Sequence, residues 1–201
     1  MTAQGFTLFD TAIGRCAIAW SEHGVVALQL PEASDAATRA RLLKRHPQAR
    51  EAPPPPHIMG AIAAIVALSS GEARDLSAIP LDMADVPDFN RRVYDVARTI
   101  GPGATLTYGD IASRLGDPLL ARDVGQALGQ NPFAIIVPCH RVVAAGGKSG
   151  GFSAHGGAAT KRRLLAIEGA TSNAAPTLFD RHGGLDFALK PRGATASRRR
   201  G

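Results

Sequence analysis

Between Phe6 and Leu30 apolar and polar residues alternate, with Cys16, Ile18 and Trp20 in one run and Val26, Leu28 and Leu30 in the next. That period belongs to half-buried strands, and the Ser21-Glu22-His23-Gly24 break predicts an antiparallel hairpin with Gly24 in its turn. Cys16 shares the apolar face of the first run and is expected in the core. The pattern then changes to helical density over Glu32 to His46, which the proline run Ala52 to Pro56 stops. A second helix follows from His57 to Ser70, its Ile58, Ile62, Ile65 and Leu68 falling on one face as core packing. Asp75 to Leu81 is expected to form a further strand. Pro80 and Pro87 bracket a polar stretch in which a domain boundary is placed, with residues 1–86 before it.

In the second half, Phe89, Val93, Val96 and Ile100 make one helical face that Gly101-Pro102-Gly103 ends. Thr107 or Asp110 is then positioned to cap a short helix running through Leu115. After the turn Gly116-Asp117-Pro118, a third helix is expected from Leu119 to Gly129. Helix, tight turn, helix is the layout that sets one helix against a nucleic-acid groove, although helix pairs that never touch DNA share it. Ala121, Gly125 and Gly129 recur every fourth residue, leaving a nearly bare face that permits close approach to another helix or to a narrow groove. A last helix is predicted from Thr160 to Glu168, with Gly169 as its stop.

Asn131-Pro132 leads into Ile135-Ile136-Val137-Pro138-Cys139-His140-Arg141-Val142-Val143, where a buried strand is expected to deliver Cys139 to a pocket wall. Two readings of that thiol stand side by side. Beside Ile and Val a lone cysteine is an inert core residue. Beside histidine and arginine it is a nucleophile whose thiolate the neighbours stabilise.

Charge sharpens the picture. Residues 1–86 carry seven Lys/Arg against nine Asp/Glu, whereas residues 87–201 carry sixteen against eight. A basic half favours a phosphate-bearing partner. Part of that excess lies in the tail, residues 171–201, whose end is expected to be disordered. With two cysteines in 201 residues there is no disulfide framework and no paired-cysteine metal motif. The absence of a signal-like start and of a long apolar run points to a cytoplasmic protein.

Pro138-Cys139-His140-Arg141-Val142 resembles the signature of the alkylguanine-DNA alkyltransferases. Tyr108-Gly109, Ala121-Arg122, Val124-Gly125, Asn131-Pro132, Gly151-Phe152-Ser153 and Lys161 through Glu168-Gly169 match that family's pattern in order and nearly in spacing. The resemblance is strong from Phe89 to Ala170 and weaker from Gly5 to Leu81. It implies an α/β chain of two domains: a small N-terminal α/β scaffold with an antiparallel sheet, and a mainly helical C-terminal domain, residues 87–170, with the helix-turn-helix and the active-site cysteine. It also implies a single-turnover DNA repair enzyme, a methylated-DNA-protein-cysteine S-methyltransferase, in which Cys139 takes the alkyl group from the 6-oxygen of a flipped guanine. Glu168 would orient His140, which deprotonates Cys139 through a water, and Tyr108 would donate to the base. Arg122 would fill the vacated stack while Ala121 and Gly125 admit the minor-groove walls. Val142, Phe152 and Ser153 would meet the guanine, and Asn131 would fix the turn before the active-site strand.

No metal or cofactor is expected, and the partner is duplex DNA containing alkylated guanine, bound by a monomer. Three positions depart from the family: Phe152 replaces a common tyrosine, and Asp123 and Leu120 replace smaller residues. The main alternative is a non-catalytic damage-binding protein of the alkyltransferase-like type, in which the cysteine is typically replaced. Another is a transcription regulator with a sensor thiol, which would need major-groove contacts that the bare third helix hardly offers.

Overall fold

In a computed structural model, which describes residues 3–147 and 150–170, the first half is a four-stranded sheet with a helix on each face. Strands β1 (Gly5–Thr11), β2 (Gly14–Ser21) and β3 (Gly24–Gln29) form an antiparallel meander, and short β4 (Arg50–Glu51) pairs in parallel with β1, in the order β3-β2-β1-β4. Gly24 sits at the predicted turn with φ of 144°, and a Cβ there would fall 2.5 Å from the Pro80 carbonyl oxygen. Only glycine fits that position.

Alternation sorts the strand side chains to two layers. Phe6, Leu8, Ala17 and Ala19 pack under α1 (Asp35–Arg45) with Leu42. Phe9, Cys16, Ile18 and Trp20 face the other way, onto Ile58, Ala61 and Ile65 of α2 (Pro56–Ser69). Cys16 is fully buried, as expected from its face.

This second layer continues without a break into the other half. Val93, Tyr94 and Ala97 of α3 (Asp88–Arg98), Ile111 of α4 (Tyr108–Arg114), Val124 and Leu128 of α5 (Ala121–Gly129) and Leu164 of α6 (Ala158–Ile167) join the same cluster. Tyr94 donates its hydroxyl to the Ala127 carbonyl at 2.9 Å and meets Phe133 edge to face, locking α3 to α5. Edge strand β3 is covered by both halves: Val25 bonds to Pro80, and Leu28 donates to Pro132 at 2.8 Å. A free sheet edge is thereby closed by the chain that leads to the site.

Three expectations need correction. Asp75 to Leu81 is not a strand but a set of turns ending in one bridge to Val25. The expected helix from Leu119 begins as a 3-10 turn, Pro118–Leu120, and becomes α-helical only at Ala121.

The third correction matters most. Ile135 to Cys139 is not a strand: the chain turns at Ile135, whose φ is 68°, and Cys139–Arg141 forms a 3-10 turn. The backbone groups a sheet would have used are already bonded. Asn131 Nδ2 donates to the Val137 carbonyl at 2.9 Å, the Phe133 amide donates to Asn131 Oδ1 at 2.9 Å, and the Val137 amide returns to Phe133 at 2.8 Å. Short β6 (Val142–Val143) then pairs in parallel with β5 (Leu106–Thr107), which places Tyr108 beside the segment leaving the cysteine.

Candidate active site

Cys139 opens the 3-10 turn half-buried on the wall of a cavity of about 440 Å³, the size of a small-ligand site. Tyr108, Gly125, Gly129, Asn131, Gly151, Phe152 and Ser153 line the same cavity. Tyr108 owes its place to the start of α4, where Thr107 and Asp110 form a reciprocal cap: the Asp110 amide donates to Thr107 Oγ1 at 3.0 Å, and the Thr107 amide to Asp110 Oδ2 at 2.7 Å. Gly125 lies against the Tyr108 ring, its would-be Cβ 3.8 Å from Cδ1 and Cε1. Two members of the bare face, Gly125 and Gly129, thus admit the cavity itself.

Behind the thiol, the turn sends successive side chains in different directions. His140 is fully buried, and its Nε2 meets Glu168 Oε1 at 2.9 Å. Arg141 grips the same carboxylate with Nε and Nη2, each at 2.8 Å, and donates Nη1 to the Ile100 carbonyl at 2.5 Å. Glu168 is at the end of α6, where the helix dipole disfavours an anion, and the two basic neighbours reverse that penalty. Burial pushes the Glu168 carboxyl up, but the bonds from His140 and Arg141 and their charge outweigh it and bring its pKa to about 2.

Burial, with Arg141 and Lys161 nearby, lowers the His140 pKa despite the pull of Glu168. The imidazole is therefore neutral at neutral pH. An ionised Glu168 can only accept, which assigns the proton to Nε2. Nδ1 is then a lone pair, and it is buried without a partner among the described residues.

For Cys139, burial raises the thiol pKa, while the Asn131 side chain, Lys161 and the amides of Cys139 and His140 favour the thiolate. Lys161 is fully buried in α6 and donates Nζ to the Val142 carbonyl at 2.5 Å. Its own pKa is lowered by burial, against the pull of Cys139.

The other predicted site residues separate into groups. Asn131, just past α5, bonds the Val137 carbonyl and the Phe133 amide ahead of the cysteine turn. Ser153 donates Oγ to the Gly129 carbonyl at 3.1 Å, and Phe152 gives the cavity a half-buried aromatic wall. Val142 is fully buried and lies outside the cavity lining, with its carbonyl already held by Lys161. Arg122 is exposed near the start of α5, apart from the cavity, and Ala121 is half-buried beside it. Asp123 lines a separate depression together with Asn90, Gln126 and Gln130. Leu119, 87% exposed, precedes the helix.

Sequence reasoning missed two parts of the site. One is the Arg141 clamp, whose signal was available: a buried arginine needs a carboxylate, and Glu168 was already assigned to its neighbour. The other is the far wall of the cavity, made by Ala27 to Leu30 and by Arg41, Leu42, Arg45 and His46 of the first half. No local pattern announces it.

A half-buried thiol at a cavity, backed by a histidine, a carboxylate and two buried cations, beside a helix-turn-helix with an exposed arginine, is the arrangement of a cysteine nucleophile next to a helix pair able to meet DNA. Residues 88–170 match the family described as 6-O-methylguanine DNA methyltransferase, DNA binding domain. The methylated-DNA-protein-cysteine methyltransferase of Mycolicibacterium paratuberculosis is 46% identical over 121 residues, 60% of this chain and 71% of that protein. That of Methanothermobacter thermautotrophicus is 34% identical over 76% of this chain and 78% of its own length. Among solved structures, Mycobacterium tuberculosis OGT in complex with DNA superposes with a TM-score of 0.64 at 34% identity, over 82% of this chain and 92% of that one. This chain belongs to the methylated-DNA-protein-cysteine methyltransferase family.

Proposed function

We propose that this enzyme repairs duplex DNA by moving an alkyl group from the 6-oxygen of guanine irreversibly onto Cys139, once per molecule. The observation that carries the reading is the unpartnered Nδ1 of a buried, neutral His140 whose other nitrogen is fixed by Glu168, directly after a cavity-lining cysteine. A water between Cys139 and Nδ1 passes the thiol proton to the imidazole. The thiolate attacks the alkyl carbon in line, the S–C bond forms as the C–O bond breaks, and the electron pair leaves with the base. The base regains a proton at its ring nitrogen, so the proton lost from sulfur is matched. Tyr108 at the cavity wall donates to the base and eases its developing charge.

The target atom lies inside a stack, so the nucleotide is extruded at a cost of a few kcal/mol. Arg122, exposed near the start of α5, takes the vacated space, while Ala121 and Gly125 let the helix settle in the minor groove. The Ser153 amide and Phe152 hold the flipped guanine, with the Cys139 carbonyl on its edge; Val142, buried outside the cavity with its carbonyl bonded to Lys161, does not reach it. No helix of the described residues is long and apolar enough to cross a membrane. We place the reaction in the cytoplasm, carried out by a monomer in which residues 1–86 support residues 87–170; the basic tail lies outside the described residues. The binding-only alternative has no observation in its favour, because Cys139 lines the cavity and the His140–Glu168 pair follows it.

Intact mass after mixing with a duplex containing one O6-methylguanine tests the proposal. One added methyl that maps to Cys139 and is absent in Cys139→Ala supports it; tight lesion binding with no mass change overturns it.

A further inference from the structure

The cavity does not end at the thiol. It runs past Asn131 and Pro132 to a wall built by the first half, where Arg41, Arg45 and His46 of α1 and its cap face it. Its lining includes no aspartate or glutamate. A ligand-sized space walled by two guanidiniums and an imidazole, with no acid among its lining residues, is an environment for an anion.

The two arginines are not equivalent. Arg41 is already engaged, with Nε 3.2 Å from Glu32 Oε1 and Nη2 donating to the Ser153 carbonyl at 3.1 Å. It ties α1 to the loop over the cysteine. Arg45, one helical turn on, makes no ion pair or hydrogen bond among the described residues. The helix dipole alone accounts for a cation in the last turn of α1, but Lys44 supplies one in the same turn and does not line the cavity. The dipole explains the charge and leaves its direction unexplained.

We infer that Arg45, supported by Arg41 and His46, forms an oxyanion subsite at the far end of the active-site cavity that takes a phosphate or carboxylate carried by the substrate. The inference rests on the alkyl-transfer reading above and adds a contact from the first half of the chain. Two sources supply such an anion: a backbone phosphate flanking the extruded guanine, or an acidic group on the alkyl adduct itself. In the second case the protein accepts carboxyalkyl lesions better than its thiol chemistry alone requires.

The test measures second-order transfer rates to duplexes carrying O6-methylguanine or O6-carboxymethylguanine, with wild type, Arg45→Gln and Lys44→Gln. Lys44→Gln removes the same charge from the same turn outside the cavity. A backbone phosphate is the ligand if Arg45→Gln slows both substrates by about three- to fivefold, the size of one partly exposed ion pair, and Lys44→Gln slows neither. An adduct carboxylate is the ligand if only the carboxymethyl duplex is slowed. The subsite is refuted if Arg45→Gln behaves as Lys44→Gln on both. Duplex affinities of the same pair in a Cys139→Ala background read the subsite independently, so wild type leaving both lesions intact overturns the transfer reading while binding still decides the subsite.

Discussion

The most demanding test of the site is Glu168→Gln, which keeps the shape of the side chain and removes its charge. The Glu168 side chain is 2% exposed and receives three bonds, from His140 at 2.9 Å and from two nitrogens of Arg141 at 2.8 Å. Two routes give the size of the loss. A carboxyl whose pKa falls from 4.5 to about 2 stabilises the fold by about 3 kcal/mol at neutral pH. Independently, removing one partner of a buried ion pair costs about 3–5 kcal/mol, because the other charge stays buried alone. Arg141, 5% exposed, is that stranded charge. Glutamine retains one acceptor oxygen, so the lower end, about 3 kcal/mol, is expected, equivalent to a melting temperature about 6–12 °C lower for a chain of this length.

The pH dependence makes the claim specific. The folded-state pKa lies below the ordinary value, so the contribution is fully present above 4.5 and is lost as pH falls through about 2. Urea unfolding of wild type and Glu168→Gln should show a constant gap above pH 5 that narrows steadily toward pH 2. Other carboxylates titrate in both proteins and cancel in the difference. A gap under about 0.5 kcal/mol at pH 7, the scatter of ordinary surface substitutions, would refute the reasoning. So would a gap that stays constant with pH.

Two further outcomes follow from the same geometry. Gly150 has φ of 66°, and a Cβ there would fall 2.8 Å from Tyr108 Oη, so Gly150→Ala displaces the tyrosine. Transfer to a methylated duplex should slow by about tenfold, or ~1.4 kcal/mol; a single-turnover rate within about twofold of wild type counts against Tyr108 as the donor. Iodoacetamide should separate the two thiols: Cys16, buried with a pKa raised to about 12, is labelled only after unfolding, whereas Cys139 reacts in the native protein. The Cys139 rate should still be climbing at pH 9, since burial raises that thiol; equal native labelling of both cysteines, or a Cys139 plateau below pH 8, would show the assignment to be wrong.

What was legible in the chain was what local chemistry determines. The Thr107–Asp110 cap, the Gly24 turn and the burial of Cys16 follow from a few adjacent residues. Cys139, His140 and Glu168 were assigned through family resemblance, and the structure brings His140 and Glu168 into contact directly behind the thiol. The path of the backbone through the site was not legible. β-branched residues at Ile135 to Val137 suit a strand, yet Ile135 adopts a φ of 68° that its side chain disfavours. The surroundings impose it: Asn131 has taken the carbonyl and amide that would have paired, and residues 135 to 137 are sealed in the core. The far wall was equally hidden. Arg41 and Arg45 lie on exposed flanks of α1 while Leu42 is buried, a pattern that describes any solvated helix. They face a cavity only because the Pro132–Phe133 segment covers the edge of β3 and brings the second half alongside.

The arrangement also resolves an apparent conflict, in which the nucleophile is placed where burial raises its pKa. Before reaction the buried set consists of a neutral thiol, a neutral imidazole, anionic Glu168 and cationic Arg141 and Lys161. In the proposed mechanism, moving one proton from Cys139 to His140 leaves the net charge of that set unchanged. It puts the new anion beside Asn131, Lys161 and two backbone amides, and the new cation against Glu168. Arg141 is what makes this distribution work. By keeping Glu168 ionised while His140 is still neutral, it stops the carboxylate from taking the proton itself and leaves Nδ1 as the acceptor. A resting neutral thiol reacts more slowly with oxidants and stray electrophiles than a thiolate would, and in the proposed mechanism the thiolate forms where the substrate meets the relay. For a protein proposed to spend its nucleophile on a single turnover, a thiol held neutral at rest conserves the reagent, and the lower resting reactivity is the cost.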